Sequence, residues 1–425
     1  MSEQIERRRR EAAEQWSLGD AVVLVVAGEQ IHVPGRADRT YPYHAHSEYL
    51  YLTDRNRPGG VLAFDPATGW TDFVRRLTRE ERVWTSGSAE RDEGTPLDQL
   101  DLWLLERQGR PVACLGSPLV GLISDAELTA DARYTLNAIR RRKDAVELAR
   151  MRAAERATRA GFEALVSAIA PGTTERALQI EIETGFLRAG ASDVAYETIV
   201  GSGPNSAVLH FSPTARVLGD GELVLVDAGA ECLAYACDVT RTYPASGRFS
   251  PEQAELYGLV LAVERATIQR CRPGAEWRDL HDAACLDIAR GLVDVGVLRG
   301  DPESLLERHV QALFFPHGVG HMVGLGVRDA GEILRGREDR NERSVPRIRV
   351  DLPLEVGHVF TVEPGIYFIP ALLQDPDLRA RHGDAVDWAR VDRMLDFGGI
   401  RIEDNVLVTE TGRENLTRRA FADVA

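Results

Sequence analysis

Two stretches of the sequence share one pattern, GELVLVDAG at residues 221–229 and GHVFTVEPG at residues 357–365. Each is an apolar run that starts at a glycine and ends in a carboxylate, Asp227 or Glu363, with a glycine two residues further on. Short apolar runs rich in β-branched residues predict buried strands, and a carboxylate is rarely buried without a partner. We interpret the repeat as two pseudo-symmetric half-domains that share one site. A chance similarity between two core strands is the alternative.

The first copy continues as a hairpin, VLVDAGAECLAYACDVTRTYP. A turn centred between residues 232 and 233 would place Asp227 directly opposite Asp238, with Cβ atoms about 4.5–5.5 Å apart. Two ionised carboxylates at that separation repel each other and require a cation or a shared proton. Because the neighbouring residues are apolar, a metal ion is favoured over a protonated structural pair.

The second copy is predicted to return through GGIRIEDNVLVT, residues 398–409, after a long insertion. Alternation along this strand places Arg401 and Glu403 on one face, so Glu403 is the expected partner of Glu363. Two divalent cations would balance the charge of the four carboxylates. Oxygen ligands with one added nitrogen suit Mn, Co, Fe or Zn, and two such ions about 3.5–4 Å apart can activate a bridging water for hydrolysis.

The nitrogen ligand is expected in FFPHGVGHMVGLGVRDAG, residues 314–331, where His317 and His321 lie four residues apart. The glycines at positions 318 and 320 argue against a helix, and in an extended chain both imidazoles share one face. Spacing alone therefore leaves open which histidine binds metal.

The composition limits the class of protein. A chain of 425 residues is long enough for two domains, and its net charge of −15 argues against nucleic acid or an anionic membrane as a partner. The sequence has no apolar stretch of about 20 residues and no leader pattern, which predicts a cytoplasmic protein. Five scattered cysteines are not a disulfide framework, and Cys232 with Cys237 is interpreted as two small buried residues rather than half a zinc site.

The pattern of predicted helices and strands changes along the chain. Residues 1–142 alternate strands and helices, with DAVVLVVAG, SEYLYLTD and GGVLAFDP as strand candidates. A charged RRRKD segment near residue 142 marks the predicted boundary to a second domain, 143–425, in which long helices alternate with antiparallel strands. SPEQAELYGLVLAVERA in that domain predicts a helix, with Ser250 as N-cap and Gln253 completing a capping box.

The motifs VDAGAE, ACDVTRTYP, HGVGH, TVEPGIY and GIRIEDN occur in this order with suitable spacings. The set resembles the metal-dependent pita-bread peptidases, the family of aminopeptidase P, prolidase and methionine aminopeptidase. YPYHAHSEYLYLTD and TIVGSGPNSAVLHF are similar to aminopeptidase P and its relatives in particular. The resemblance implies an α+β chain. Its pita-bread catalytic domain, a pseudo-symmetric antiparallel sheet with covering helices, would follow a smaller α/β N-terminal domain of the aminopeptidase P type.

The resemblance also implies roles for individual residues. It makes five side chains the ligands of two divalent ions, with Mn²⁺ expected and Zn²⁺ or Co²⁺ as alternatives: Asp227, Asp238, His321, Glu363 and Glu403. Glu363 would also accept a proton from the metal-bridging water, and His210 would stabilise the reacting carbonyl. Tyr367 and Arg401 would line the site, and His317 would support it. The implied reaction is attack of a metal-bridging hydroxide that releases the N-terminal residue from short Xaa-Pro peptides.

One position departs from the family pattern. Family members commonly have a second substrate histidine seven residues after the ligand histidine, where this chain has Arg328 in a V-R-D context. An arginine cannot shuttle protons near neutral pH, but it can hold a carboxylate in a bidentate grip. We expect Arg328 to bind the C-terminal carboxylate of a short substrate, as in an Xaa-Pro dipeptidase (prolidase) or a carboxypeptidase. The alternative is an outward-facing arginine that pairs with Asp329 or with an insertion.

Further expectations concern the pocket mouth, the assembly and the competing class of protein. Residues 332–350 and 370–398 are predicted to be loop-like insertions that shape the mouth of the pocket. Because family members tend to form homodimers or homotetramers through the N-terminal domain, an oligomer is expected. The competing hypothesis is a non-catalytic binding module on the same fold. It is disfavoured because inactive relatives should lose ligands, whereas all five are present here.

Overall fold

The computed structural model describes residues 2–36, 39–84, 93–337 and 348–421. The chain divides into two compact units, Met1–Arg140 and Arg141–Ala425. Within the described ranges, no helix combines the length and the apolar character that a membrane crossing requires. All five cysteines are free and buried, as expected for small core residues.

The first unit is built around a five-stranded mixed sheet. Its elements are α1 (Glu3–Gln15), β1 (Val22–Val26), α2 (Ser47–Thr53), β2 (Val61–Asp65), β3 (Gly69–Val74), α3 (Glu81–Trp84), β4 (Thr95–Pro96), α4 (Leu100–Leu105), β5 (Val112–Gly116) and α5 (Ala126–Arg141). The strands lie in the order β4-β3-β2-β1-β5, and β1 is parallel to β5 and antiparallel to β2. The strands expected at DAVVLVVAG and GGVLAFDP are therefore confirmed.

One expectation in this unit is wrong. SEYLYLTD was expected to be a strand because it is rich in aromatic and apolar residues, but it forms helix α2. Its buried residues include Tyr49, Leu52 and Thr53, which recur at the spacing of a helical face. Tertiary packing of that face has overridden the β-propensity of the individual residues.

The first half of the second unit packs two long helices on short strands. Its elements are α6 (Ala145–Ala168), α7 (Glu175–Arg188), β6 (Asp193–Val194), β7 (Ile199–Ser202), β8 (Leu223–Asp227), β9 (Ala230–Cys232), β10 (Tyr235–Ala236) and β11 (Thr240–Pro244). A short 3₁₀ turn, Gly203–Ala207, follows β7. Phe162 of α6 and Phe186 of α7 share one core with Val224 and Val226 of β8.

The second half repeats this plan with α8 (Pro251–Arg270) and α9 (Trp277–Asp294). The remaining elements are α10 (Pro302–Glu307), β12 (Val359–Val362), β13 (Gly365–Tyr367), α11 (Pro370–Leu373), α12 (Pro376–Arg381), α13 (Trp388–Arg393), β14 (Gly399–Arg401), β15 (Asp404–Thr409), β16 (Gly412–Asn415) and α14 (Leu416–Ala420). Trp277 of α9 and Phe360 of β12 belong to the core of this half.

The strands that carry the repeated motif, β8 and β12, each pair with an antiparallel strand that follows later in the chain. β8 lies between β7 and β11, β12 pairs with β15, and β13 pairs with β14, all antiparallel. A bridge between Thr240 and Glu403 joins the two halves. This arrangement supports the interpretation of the repeat as two related half-domains.

Two predictions in the second unit can be compared directly with the structure. The helix expected after Ser250 is confirmed, because Ser250 and Gln253 form a reciprocal capping box at the start of α8. The segment 370–398 is not loop-like, since it contains α11, α12 and α13. Of the other expected insertion, 332–350, residues 338–347 lie outside the described ranges.

Candidate metal centre and active-site cavity

A cavity of about 1130 Å³ in the second unit brings together most of the residues that the sequence singled out. Its walls contain eight of them: His210, Asp227, Asp238, His321, Arg328, Glu363, Arg401 and Glu403. His317 also lines the cavity. Tyr367 does not contribute to the wall and is fully buried, where it contacts both His317 and Arg401.

The first hairpin differs from its predicted register. β8 and β11 place Asp227 opposite Thr240 rather than opposite Asp238. The reason is the turn, which is centred between Leu233 and Ala234, one residue later than expected. Both turn residues adopt left-handed backbone, with φ of 52° and 68°, as a two-residue hairpin turn of type I′ requires. Asp227 and Asp238 remain on the same face of the hairpin, but as diagonal rather than directly opposed neighbours.

The second hairpin has the predicted register. Val362 pairs with Asp404 and Gly365 pairs with Arg401, so Glu363 lies opposite Glu403 between these two pairs. The expected partnership of the two glutamates is therefore confirmed. Glu403 also accepts a hydrogen bond of 2.7 Å from the hydroxyl of Thr240, across the junction of the two halves.

His321 faces these carboxylates with one ring nitrogen. Its Nε2 lies 3.3 Å from Asp238 and 3.7 Å from Glu363. Its Nδ1 lies 3.0 Å from the carbonyl oxygen of Met322, so Nδ1 is the nitrogen that carries the proton and donates it. Burial lowers the pKa of His321, which keeps the imidazole neutral and leaves the lone pair of Nε2 directed at the acidic cluster.

His317 has a different environment. Its Nδ1 lies 2.9 Å from the carbonyl oxygen of Gly318, and its Nε2 lies 2.9 Å from the hydroxyl of Tyr367. Burial, and then the charge of Arg401, lowers the pKa of His317 to about 3. Both nitrogens of this neutral ring are engaged, so its geometry suits support of the site rather than metal binding.

Ligand atoms of Asp238, His321 and Glu403 lie within 4.8 Å of one another, close enough to share one ion. Burial, and then the charge of Asp227, raises the pKa of Asp238. Burial, and then the charge of Asp238, likewise raises the pKa of Glu403. The pKa of Glu363 is raised by burial and by Glu403. Buried carboxylates that destabilise one another's charged forms are a donor set that fits divalent cations.

Two hydrogen-bonding residues of the centre were missed by the sequence analysis. The hydroxyl of Tyr196 lies 2.6 Å from one oxygen of Asp227 and 2.6 Å from one oxygen of Asp238. Thr240 binds Glu403 and also accepts a hydrogen bond from Nε of Arg401. Strand alternation puts Thr240 on the same face as Asp238, so this residue could have been found. No local pattern connects Tyr196 to the hairpin.

Arg401 links the two halves of the centre. Its Nη2 donates to Asp227 over 2.6 Å, and its Nη1 donates to the hydroxyl of Tyr367 over 2.8 Å. The guanidinium is a buried cation 2.6 Å from Asp227 and 4.0 Å from Glu403, and it holds Asp227 in a fixed orientation.

Arg328 lines the cavity together with a second arginine, Arg349, that the sequence analysis missed because it lies in a segment read as an insertion. The alternative partner Asp329 is engaged elsewhere, since its carboxylate receives Nζ of Lys143 over 2.7 Å and both side chains are 1% exposed. Pairing with Asp329 is thus contradicted. Within the described ranges, the guanidinium of Arg328 has no hydrogen bond or ion pair, and two positive charges face the cavity.

Comparisons with known proteins define the class to which this fold and site belong. Residues 149–410 match the model of metallopeptidase family M24, and residues 5–97 match the aminopeptidase P N-terminal domain. The chain belongs to metallopeptidase family M24 and is an enzyme of the aminopeptidase P type, a hydrolase. The resemblance read from the motifs is confirmed.

Individual relatives agree with this assignment over most of the chain. The Xaa-Pro aminopeptidase of Escherichia coli (strain K12) is 32% identical, with 98% of this chain and 94% of the relative covered. A probable Xaa-Pro aminopeptidase of Botryotinia fuckeliana is also 32% identical, with coverage of 89% and 86%.

Solved structures confirm the predicted α+β pita-bread fold with its N-terminal domain. Aminopeptidase P from E. coli with the inhibitor Pro-Leu superposes with a TM-score of 0.80 at 29% identity, covering 99% of this chain and 96% of that one. Proline aminopeptidase P II from Yersinia pestis superposes with a TM-score of 0.81 at 30% identity, covering 99% and 97%.

Proposed function

We propose that this chain is a two-metal exopeptidase that releases the N-terminal residue from Xaa-Pro peptides. The observation that carries the proposal is the set of four carboxylates that lines the cavity together with His321, whose unprotonated Nε2 lies near Asp238 and Glu363. The names of the relatives, which are Xaa-Pro aminopeptidases, support the choice of substrate.

The ions would be held by the five side chains that the resemblance implied: Asp227, Asp238, His321, Glu363 and Glu403. When bound, two divalent ions polarise the scissile carbonyl and make a water molecule nucleophilic near neutral pH. We propose Mn²⁺ as the ion, because a set of carboxylates with one imidazole suits it. The same donors would also accept Zn²⁺ or Co²⁺.

The remaining steps fall to side chains of the cavity. Glu363, which lines the cavity, accepts the proton of the attacking water on a carboxylate oxygen. Burial, and then the charge of Arg328, lowers the pKa of His210, so its neutral imidazole donates an N–H to the oxyanion that develops on the substrate. Arg401 and Tyr367 keep Asp227 and His317 in place through their mutual hydrogen bonds.

The test is product identification on Xaa-Pro dipeptides, Xaa-Pro-Yaa tripeptides and longer Xaa-Pro peptides, before and after treatment with a chelator. We expect release of the N-terminal residue from the tripeptides and longer peptides, loss of activity with the chelator, and recovery with Mn²⁺. Absence of hydrolysis from protein that has been reloaded with Mn²⁺ would contradict the proposal and favour a binding module.

A second candidate function is an Xaa-Pro dipeptidase or a carboxypeptidase. The observation that favours it is the pair Arg328 and Arg349, whose charges line the same cavity as the acidic centre. In this alternative, Arg328 holds the C-terminal carboxylate of the substrate in a bidentate grip. A second guanidinium beside it would strengthen the preference for a free acid.

Comparing free-acid and C-terminally amidated peptides tests the carboxylate grip. We expect Arg328→Ala to lower kcat/KM on free-acid substrates by about 10- to 100-fold, the usual loss for a charge-assisted contact of 1.5–3 kcal/mol. Amidated substrates should change little. Arg335→Ala, an arginine outside the cavity lining, serves as the control. Equal losses of Arg328→Ala on both kinds of substrate would exclude the grip.

The assembly and the location of the protein are also proposals. We propose a cytoplasmic enzyme, which five free, buried cysteines support because thiols persist in reducing compartments. We propose a homodimer or homotetramer from the resemblance to aminopeptidase P, with short peptides as the other partners.

A further inference from the structure

The segment that carries His210 has little regular structure of its own. It follows β7, contains the 3₁₀ turn Gly203–Ala207, and passes His210 into the cavity wall. Its neighbours Leu209 and Phe211 pack against the small core formed by Ile199, Leu225 and Tyr367. In the part of the chain that the structure describes, no hydrogen bond holds the imidazole itself, so its position depends on the backbone of this segment.

One buried carboxylate ties both sides of this segment together. Glu175 is the first residue of α7 and is fully buried. Before His210, it accepts hydrogen bonds from the backbone N–H of Ser202 over 2.9 Å, from the Ser202 hydroxyl over 2.8 Å and from the amide of Asn205 over 2.9 Å. After His210, it accepts from the backbone N–H of Thr214 over 3.1 Å and from the Thr214 hydroxyl over 2.7 Å.

The ionised form of Glu175 is stabilised by hydrogen bonds although the side chain is closed to water. Burial acts to raise the pKa of Glu175, but the hydrogen bonds from Thr214, Asn205 and Ser202 outweigh it and lower the pKa. The N-terminus of α7 adds the positive end of the helix dipole. Charge-assisted hydrogen bonds of this kind are stronger than neutral ones, so the carboxylate is a firm anchor.

The same segment is also attached to the strand of Arg401. The hydroxyl of Ser206 accepts a hydrogen bond of 2.8 Å from the backbone N–H of Gly399 in β14. A side chain at Gly398 would clash with the carbonyl oxygen of Gly203, so the two backbones are in close contact. The segment is thus held on one side by Glu175 and on the other by the strand that leads to the centre.

We propose that Glu175 is a positioning residue for His210: it fixes the 202–214 segment so that the imidazole reaches the reacting carbonyl. The inference rests on the proposed function, in which His210 donates to the oxyanion. Glu175 itself does not line the cavity and touches none of the five proposed ligands. Its effect on the reaction would therefore pass through His210.

The test is a double-mutant cycle in the Mn²⁺-loaded enzyme with an Xaa-Pro-Yaa peptide. Glu175→Gln keeps the size of the side chain, but its NH2 group cannot accept hydrogen bonds, so the contacts on one side of the segment, with Ser202 and Asn205 or with Thr214, are lost. We expect kcat to fall by about 10- to 100-fold with little change in KM, as a misplacement of about 1 Å costs. In a His210→Ala background, Glu175→Gln should cause no further loss of kcat. Bound metal per chain should stay at the wild-type value.

Two additional variants keep the inference falsifiable. Glu147→Gln changes another buried glutamate in the first turn of a helix, which binds the hydroxyl of Tyr235 over 3.1 Å, and its kcat should be unchanged. Thr214→Val removes one donor at the surface and should lower kcat by a few-fold if Glu175→Gln does not fold. Equal losses from Glu175→Gln with and without His210 would overturn this inference alone. An unchanged kcat in His210→Ala would instead contradict the proposed function.

Discussion

The two copies of the repeated strand lead into hairpins that present their carboxylates differently. In the first hairpin, Asp227 lies opposite Thr240 and only diagonally from Asp238. In the second, Glu363 lies opposite Glu403, and the tip of the hairpin contains three short helices. The same sequence pattern therefore yields two geometries at one centre.

The difference shows what sets strand register in each half. The first hairpin is closed by a two-residue turn whose backbone conformation fixes the pairing of every residue behind it. The second hairpin has a long connection that imposes no register, so its pairing follows from core packing and from contacts such as Thr240 with Glu403. Turn geometry positions Asp227 and Asp238, whereas packing positions Glu363 and Glu403.

The largest expected effect comes from replacing each of the two equivalent carboxylates, one at a time, with the corresponding amide. At saturating Mn²⁺, Glu363→Gln should lower kcat by about 10²- to 10⁴-fold, because the residue that accepts the proton is lost. The loss of kcat from Asp227→Asn should be at least about ten times smaller. Tyr196 and Arg401 already hold the side chain at this position, and it does not accept the proton. Steady-state kinetics with metal titration measures both.

Glu355→Gln is the control for this pair, since Glu355 is an exposed glutamate shortly before β12. Its kcat should match the wild-type value. Equal losses of kcat from Glu363→Gln and Asp227→Asn at saturating metal would show that the two halves are functionally equivalent and that Glu363 has no separate role.

The glycines that follow the two carboxylates give a matched pair for stability. A side chain at Gly229 would clash with the backbone carbonyl of Cys237, whereas one at Gly365 would meet the ring of Tyr367. We expect Gly229→Ala to lower the free energy of unfolding by about 3 kcal/mol and Gly365→Ala by about 1 kcal/mol, because backbone yields less than a side chain. Urea unfolding of the two variants measures this order.

We expect the opposite order for activity: for each kcal/mol of unfolding free energy lost, Gly365→Ala should lower kcat more than Gly229→Ala does. Gly365→Ala displaces Tyr367, which contacts His317 and Arg401, so kcat should fall although the fold is retained. If Gly365→Ala destabilises the protein more than Gly229→Ala, the close backbone contact in the first hairpin is not the dominant constraint.

The smallest expected effect is at the turn itself. Leu233 and Ala234 adopt left-handed backbone that costs L-residues about 1–2 kcal/mol each, and Leu233 is 65% exposed. The double substitution Leu233→Asn and Ala234→Gly supplies the residues that this turn favours. We expect a gain of about 1 kcal/mol in the free energy of unfolding and unchanged kcat. A loss of stability would mean that the assigned turn conformation is wrong.

Much of the site could be predicted from the sequence because its parts lie in local patterns. Strand alternation placed Glu403 with Glu363, and the order of the motifs identified the family. The predicted register of the first hairpin was wrong because the turn is centred one residue later than expected. Neither Leu233 nor Ala234 is a residue that marks a type I′ turn. A turn of Asn and Gly at the same place would have revealed it.

Other features could not be read because they depend on contacts between distant segments. Tyr196 reaches Asp227 across 31 positions of the sequence, and Glu175 reaches Thr214 across 39. Neither contact has a local periodicity. The misread SEYLYLTD segment shows the same limit, since only packing in the first unit decides that it is a helix.

The most direct test of the central claim is the number of metal ions that the purified chain binds. The account predicts two Mn²⁺ ions per chain by elemental analysis, loss of both with peptidase activity on chelation, and loss of occupancy in Asp238→Asn, whose carboxylate lies beside His321. A chain that binds no divalent ion, or that hydrolyses Xaa-Pro peptides at the same rate after complete metal removal, would contradict it.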